Sequence, residues 1–306
     1  MLTKTKLYMN KILFPILITM VSFQAYSQTE GNTTEKKFSL GVFSNVSTSA
    51  SSGVIGFNNS SNSAGGIYNS DGGIVVGSLG AGFTTGLTAS FKINKYLSLE
   101  MGLAQLKGTE YETTSANSQT DFQGYTNISK STHNFQANQT QLRPGLKMQI
   151  PMGKIGLYSR IGLVSGYTTK VEDNINYSST STNPNISAVA VSQKFEYNSG
   201  KSLGYFSEFG LDIKLGKLVS FNFGASLVSS NYNPAKGNYT EYTVNGVDAM
   251  STLKTSEKEF VFYDSYNSTI DYNQPIVANY SSPTAMQAIR FPFSSAGLTF
   301  GLSIGF

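Results

Sequence analysis

Chemistry that depends on an imidazole has one place to go in this chain. His133, in Ser131-Thr132-His133-Asn134, is the only histidine among 306 residues. Paired with a serine it would be the base of a lipid-modifying centre, but such a pair needs hydrogen-bond geometry that sequence neighbours do not supply. The competing reading is a solvated polar side chain. Cysteine is absent, which removes thiol nucleophiles, disulfides and thiolate metal sites. No Gly-rich phosphate loop, metal-ligand cluster or nucleotide fingerprint stands on a suitable strand–helix unit. The expectation is a protein that is not an enzyme, with no catalytic residue, no cofactor and no metal ligand.

A second set of residues is defined by position. Lys92, Glu100, Arg143, Lys147, Arg160, Glu208, Asp212 and Lys214 all occupy the polar places of segments whose alternate places are apolar. Such mixed charge could form an ion path or a proton relay. It could also pair with itself and fill a narrow interior, satisfying its own hydrogen bonds.

The choice depends on the elements that hold these residues. Apolar residues at every second position mark half-buried strands, and eight such runs occupy 38–46, 79–93, 97–104, 142–150, 155–163, 203–215, 219–227 and 298–306. The last is LTFGLSIGF, with Leu298, Phe300, Leu302, Ile304 and Phe306 on one face. Pro144 interrupts the fourth run and predicts a bulge or local irregularity there. No run after the leader shows a sustained helical period.

The connections alternate. Asn94-Lys95, Pro151-Met152-Gly153-Lys154 and Gly216-Lys217 are tight turns, whereas 47–78, 107–137, 168–202 and 229–295 are long and polar. Three short turns on one side and four long segments with polar composition on the other predict an all-β, closed antiparallel up-and-down transmembrane barrel of eight strands. In lipid a sheet can span only if no edge is left open, so the last run must pair with the first. Ten strands remain an alternative because Glu259-Phe260-Val261-Phe262-Tyr263-Asp264 lies in the longest connection, and a soluble Greek-key sandwich is another. The charged face of the barrel would then point inward and the apolar face into lipid.

Residues 1–27 read as a cleaved secretory leader. Lys4, Lys6 and Lys11 precede the apolar run 12–21, and Ala25-Tyr26-Ser27 supplies small residues before Gln28. Met9 is an equally good start, and an N-terminal anchor helix is the alternative reading. Residues 28–37 would be a short periplasmic segment and 38–306 the barrel domain. The chain has 22 Lys and Arg against 18 Asp and Glu; without the leader lysines the two nearly balance, so there is no nucleic-acid footprint.

The leader, the eight-run layout and the aromatic ending resemble the small eight-stranded outer-membrane barrels of the OmpA and OmpX type, in the variety common in Bacteroidota. INKYLSLEMGL, LRPGLKMQIP and LYSRIGLVSGY look like the strand–turn–strand pieces of that family. The resemblance implies an integral protein of the cell outer membrane, in contact with outer-membrane lipid and lipopolysaccharide. It also implies the secretion and barrel-assembly machinery as partners, with the final strand as assembly signal. A structural or surface-interaction role follows, with a small porin-like passive channel as the alternative. Tyr and Phe recur through the long segments, from Tyr111 to Tyr266, Tyr272 and Tyr280, among Ser, Thr and Asn. That mixture suits either contact with an extracellular ligand or packing of the segments on one another.

Overall fold

The computed structural model describes residues 37–50, 53–64, 67–264 and 280–306. The expected leader 1–27, the segment as far as residue 36, Tyr266 and Tyr272 lie outside the described residues. Seventeen strands form one sheet. In chain order they begin with β1 (Phe38–Ser49), β2 (Gly53–Ala64), β3 (Ile67–Gly77), β4 (Gly82–Lys92), β5 (Leu97–Gly108) and β6 (Tyr111–Thr120). Next come β7 (Thr126–Met152), β8 (Ile155–Ser181), β9 (Val189–Asn198), β10 (Lys201–Lys214), β11 (Val219–Asn233) and β12 (Lys236–Val244). The series closes with β13 (Val247–Asp248), β14 (Glu259–Tyr263), β15 (Thr284–Gln287), β16 (Phe291–Pro292) and β17 (Ser295–Gly305). Among the described residues no helix is long and apolar enough to cross a membrane.

The expected count of eight strands, or ten, is therefore corrected to seventeen. Over their described residues the long connections are largely strand: Thr and Tyr suit extended chain, and these stretches satisfy their backbone by pairing with a neighbour. β7 and β8 run for 27 residues each, far past the runs 142–150 and 155–163. The Glu259 segment forms β14, which pairs with β12 and, in parallel, with β15.

Eight of the strands pair in sequence: β1 with β4, β4 with β5, β5 with β7, and β7 with β8, all antiparallel. β8 then pairs with β10, β10 with β11, β11 with β17, and β17 with β1. Followed from neighbour to neighbour, these pairings return to β1. Their short turns gather at one end, where the Asn94 side chain accepts from the Tyr96 and Leu97 N–H groups and Gly153 takes φ +72°. At the other end β2, β3, β6, β9 and β12 continue the sheet as an upper storey. Asn245 and Gly246, both at positive φ, make the tight turn between β12 and β13.

Both faces of the ring change character at one level. Along β7, Phe135, Ala137, Gln139, Gln141 and Lys147 are buried, while Leu142, Leu146, Met148 and Ile150 are exposed. Below Gln141 the inward positions are thus polar and the outward ones apolar. Above Gln139 the inward positions Ala137 and Phe135 are apolar, and the alternate ones are Gln136, Asn138 and Thr140. β5 makes the same exchange: Leu99, Met101 and Leu103 are exposed opposite buried Glu100, whereas Leu106 is buried between Gln105 and Lys107. At the boundary Thr140 Oγ1 donates to Gln105 Oε1 at 2.8 Å and Thr168 Oγ1 donates to Thr140 Oγ1 at 2.9 Å.

On β8 a bulge does the work. The pairing with β7 shifts between Thr140 and Gln141, which leaves Tyr167 as an extra residue, 84 % exposed. Below it even-numbered residues such as Tyr158, Arg160 and Val164 face inward; above it Thr169, Val171 and Asp173 do. One inserted residue resets the phase of a strand whose side-chain period is two. The irregularity expected at Pro144 is milder: pairing to β5 passes through Met101 opposite Pro144, and the β8 register is the same on either side of it.

Candidate functional site

Inside the lower ring the charged residues form two groups. Arg160, buried, lies between two buried carboxylates, with Nη1 donating to Glu208 Oε1 at 2.7 Å and Nε 2.8 Å from Glu100 Oε2. The second contact is an ion pair only, since the Nε–H does not point at the oxygen. Tyr158 Oη also donates to Glu208 Oε1, and Ser90 Oγ donates to Glu100 Oε1 at 2.7 Å. The Arg160 guanidinium stands 4.7 Å from the centre of the Tyr158 ring. Buried charge is tolerated only when paired and hydrogen-bonded, and this group meets that condition with partners from β4, β5, β8 and β10.

The second group is nearer the turns. Lys147 Nζ is 3.4 Å from Asp212 Oδ2 and 3.4 Å from Asn222 Oδ1, while Gln149 Nε2 donates to the same Asp212 oxygen at 2.7 Å. Asp212 Oδ1 is buried without a hydrogen-bond partner. Arg143 is held differently, by Gln141 Oε1 and by the rings of Phe43 and Phe206 at 5.6 and 5.8 Å. Lys92 is partly buried and Lys214 exposed, both at strand ends by the turns.

Over these groups the amides make a layer. Gln141 donates to Gln139, and Gln139 donates to Thr169 Oγ1 at 2.8 Å and Ser202 Oγ at 2.9 Å. Directly above lies an apolar core of Ile55, Leu79, Leu106, Phe135, Ala137, Val171, Tyr232, Phe291 and Phe293. Residues 78–81 and 291–294 cross to fill it: Leu79 N–H donates to Pro292 O at 2.9 Å, and Phe293 N–H donates to Ser230 O at 2.9 Å. Gly80 is required here, because a Cβ would come within 2.1 Å of the Phe293 carbonyl oxygen. The interior is closed twice, by an ionic stack and by a plug.

His133 proves to have a partner that sequence reading missed. Its Nδ1 is 2.9 Å from Asp173 Oδ2, and its ring stacks on Phe135. The Asp173 hydrogen bond raises the imidazole above its ordinary value, opposed by burial and helped by the carboxylate charge. Burial, only partly offset by His133, raises the Asp173 carboxyl as well. The two residues are 40 apart in sequence, and only the long β7–β8 pairing, with Phe135 opposite Asp173, brings them together. Beside them Phe195 packs edge-on to Tyr197, Tyr239 and Phe260. The aromatic residues of the long segments therefore pack on one another here. Among the described residues no group of acidic or histidine side chains could hold a metal ion.

At the closing seam Leu298 pairs with Val46, Phe300 with Ser44, Leu302 with Val42 and Ile304 with Leu40. Phe306 N–H donates to Phe38 O at 2.9 Å. Leu298, Phe300 and Leu302 point outward and are exposed. Compared with known protein families and with curated proteins, the chain finds no match in either.

Proposed function

We propose that the closed ring within this seventeen-stranded sheet is a transmembrane β-barrel of the outer membrane, resembling the OmpA and OmpX type, and that its role is structural or surface-interacting. One observation carries this reading: the reversal of sidedness at a single level on several strands. Water-soluble sheets keep apolar residues inside throughout, because exposing them costs about 25 cal/mol per Å². A belt of exposed Leu, Met, Ile and Phe around buried Arg, Lys, Glu and Asp is stable only where the surroundings are apolar. Above the belt the outward residues become Lys170, Glu172 and Lys194, joined by ion pairs at 3.0 Å between Lys170 and Glu172 and between Lys194 and Glu172. Such a network belongs in water. The level of Gln105, Thr140 and Thr168 is then the surface of the bilayer.

In this reading the upper storey stands outside the cell, next to lipopolysaccharide, and the short turns face the periplasm. Secretion and barrel-assembly machinery would deliver the chain. The two-layer closure of the interior argues for a scaffold over a passive channel.

The test is refolding. Urea-unfolded chain diluted into phosphatidylcholine vesicles should become protease-resistant across 82–108 and 203–227 and migrate differently in gels before and after boiling. A chain that is monomeric and native in detergent-free buffer would overturn the assignment.

A further inference from the structure

We propose that the outward base of the β2–β3 hairpin is a self-association surface, through which two copies of this chain pair side by side in one membrane. Val54 stands opposite Val76 and Phe57 opposite Ile74 across the hairpin, and all four side chains are between 52 and 64 % exposed. They share the face turned away from the ring axis, since Ile55 lies in the apolar core and Val75 packs against it.

A bulge assembles this patch. Pairing between β2 and β3 shifts from Val54 to Gly56, leaving Ile55 as an extra residue directed into the core. With an unbroken period of two, Val54 and Phe57, three positions apart, would lie on opposite faces of the strand. The inserted residue puts both outward. Nearer the tip the hairpin carries Asn58 to Ser63 and Asn69 to Asp71, polar throughout, so the apolar surface is confined to the base.

The hairpin belongs to the upper storey, beyond the level of Gln105, Thr140 and Thr168, where the outward residues of β8 and β9 are charged. There Lys170, Glu172, Lys194 and Glu196 form an ion-pair network suited to water. Four apolar side chains grouped at that height are exposed at a cost of about 25 cal/mol per Å² unless something covers them. Acyl chains reach only as far as the belt below. On the same side of the ring Val46 pairs with Phe83, both exposed, and the outward positions of β1 and β4 carry no charge. Two copies meeting by this side therefore bring no charged group of these strands between them.

The inference rests on the membrane reading and adds a partner to it. A bilayer holds every copy upright and at one height, so a half-turn about the membrane normal sets the patch of one copy against the same patch of another. Part of the orientational cost of association is thus met before contact. A surface that matches itself closes at two copies and does not propagate.

The experiment is energy transfer between copies in phosphatidylcholine vesicles. The chain has no cysteine, so the full chain with Ser70→Cys takes one label, and donor-labelled and acceptor-labelled protein are refolded together. Transfer that survives dilution with excess lipid is expected, with association weakened about tenfold or more by adding Phe57→Asn and Ile74→Thr. Both substitutions are outward and clear of the core, and unchanged gel migration before boiling verifies that the variant has folded. Parent protein that inserts and migrates as folded but shows no transfer would overturn the pairing and leave the membrane reading standing. Equal transfer by parent and variant would overturn it too, as would quenching of a label at Val76→Cys by brominated acyl chains, which assigns the patch to lipid. A chain that is native and monomeric without detergent would remove the membrane reading and the pairing together.

Discussion

Asp173 changes the standing of His133. A lone histidine in a polar segment reads as solvated, but a carboxylate 2.9 Å from Nδ1 fixes the ring and favours its charged form. The imidazole is raised above 6.5, chiefly by that hydrogen bond. A group raised on folding stabilises the protein fully below its unfolded value, and the contribution is lost as the pH climbs through the raised one. The upper storey should therefore loosen as the pH rises from the ordinary imidazole value of about 6.5 through the raised one. Because the chain has one histidine, its ring signals in nuclear magnetic resonance are unambiguous. Their midpoint should lie above 6.5 in the parent and fall in Asp173→Asn; an unchanged midpoint would show that the pair does not form in solution.

At the scale of elements, β7 is the most instructive. One strand carries two alternations of opposite sense, and the exchange falls between Thr140 and Leu142 without any break in backbone pairing to β5. The same substitution should therefore have different effects a few residues apart. Leu146→Arg puts a guanidinium against lipid and should cost about 2–4 kcal/mol. Asn138→Arg, on the same face above the boundary, should change stability by less than about 0.5 kcal/mol. Urea titration of both variants in phosphatidylcholine vesicles measures the difference, and equal effects would place the boundary elsewhere. β8 reaches the same outcome by another route, through the bulge at Tyr167, so the two strands keep their faces aligned although their parities differ.

For the whole molecule the question is what a ring of this width contains. An eight-membered ring has an interior about filled by its own side chains. Here the filling has an order from the turns upward: Lys147–Asp212, Arg160 with its carboxylates, the glutamine layer, then the apolar plug held by residues 78–81 and 291–294. An ion would have to displace both a charge-compensated stack and a dry core. Planar bilayers holding the folded chain should stay electrically silent, with no discrete conductance steps in molar potassium chloride. Steps of stable size would mean that the plug leaves its place and would favour the channel reading.

Much of this was legible in the chain itself, because a period of two is a local property. The eight runs, the tight turns at Asn94-Lys95 and Gly216-Lys217, and the face carrying Glu100, Arg160 and Glu208 all follow from which residues alternate. Asn245-Gly246 forms its turn because both residue types tolerate the positive φ that it requires. Tertiary structure decided what depends on separated segments meeting. Polar extended chain pairs with whatever neighbour offers free backbone groups, so the long connections became strands, and composition had no means of saying with which partner. Asp173 reaches His133 only through that pairing. The apolar plug joins Leu79, Phe135, Val171 and Phe293 from four regions of the chain, and no one region shows it, because burial is a property of where side chains converge and not of their order along the backbone.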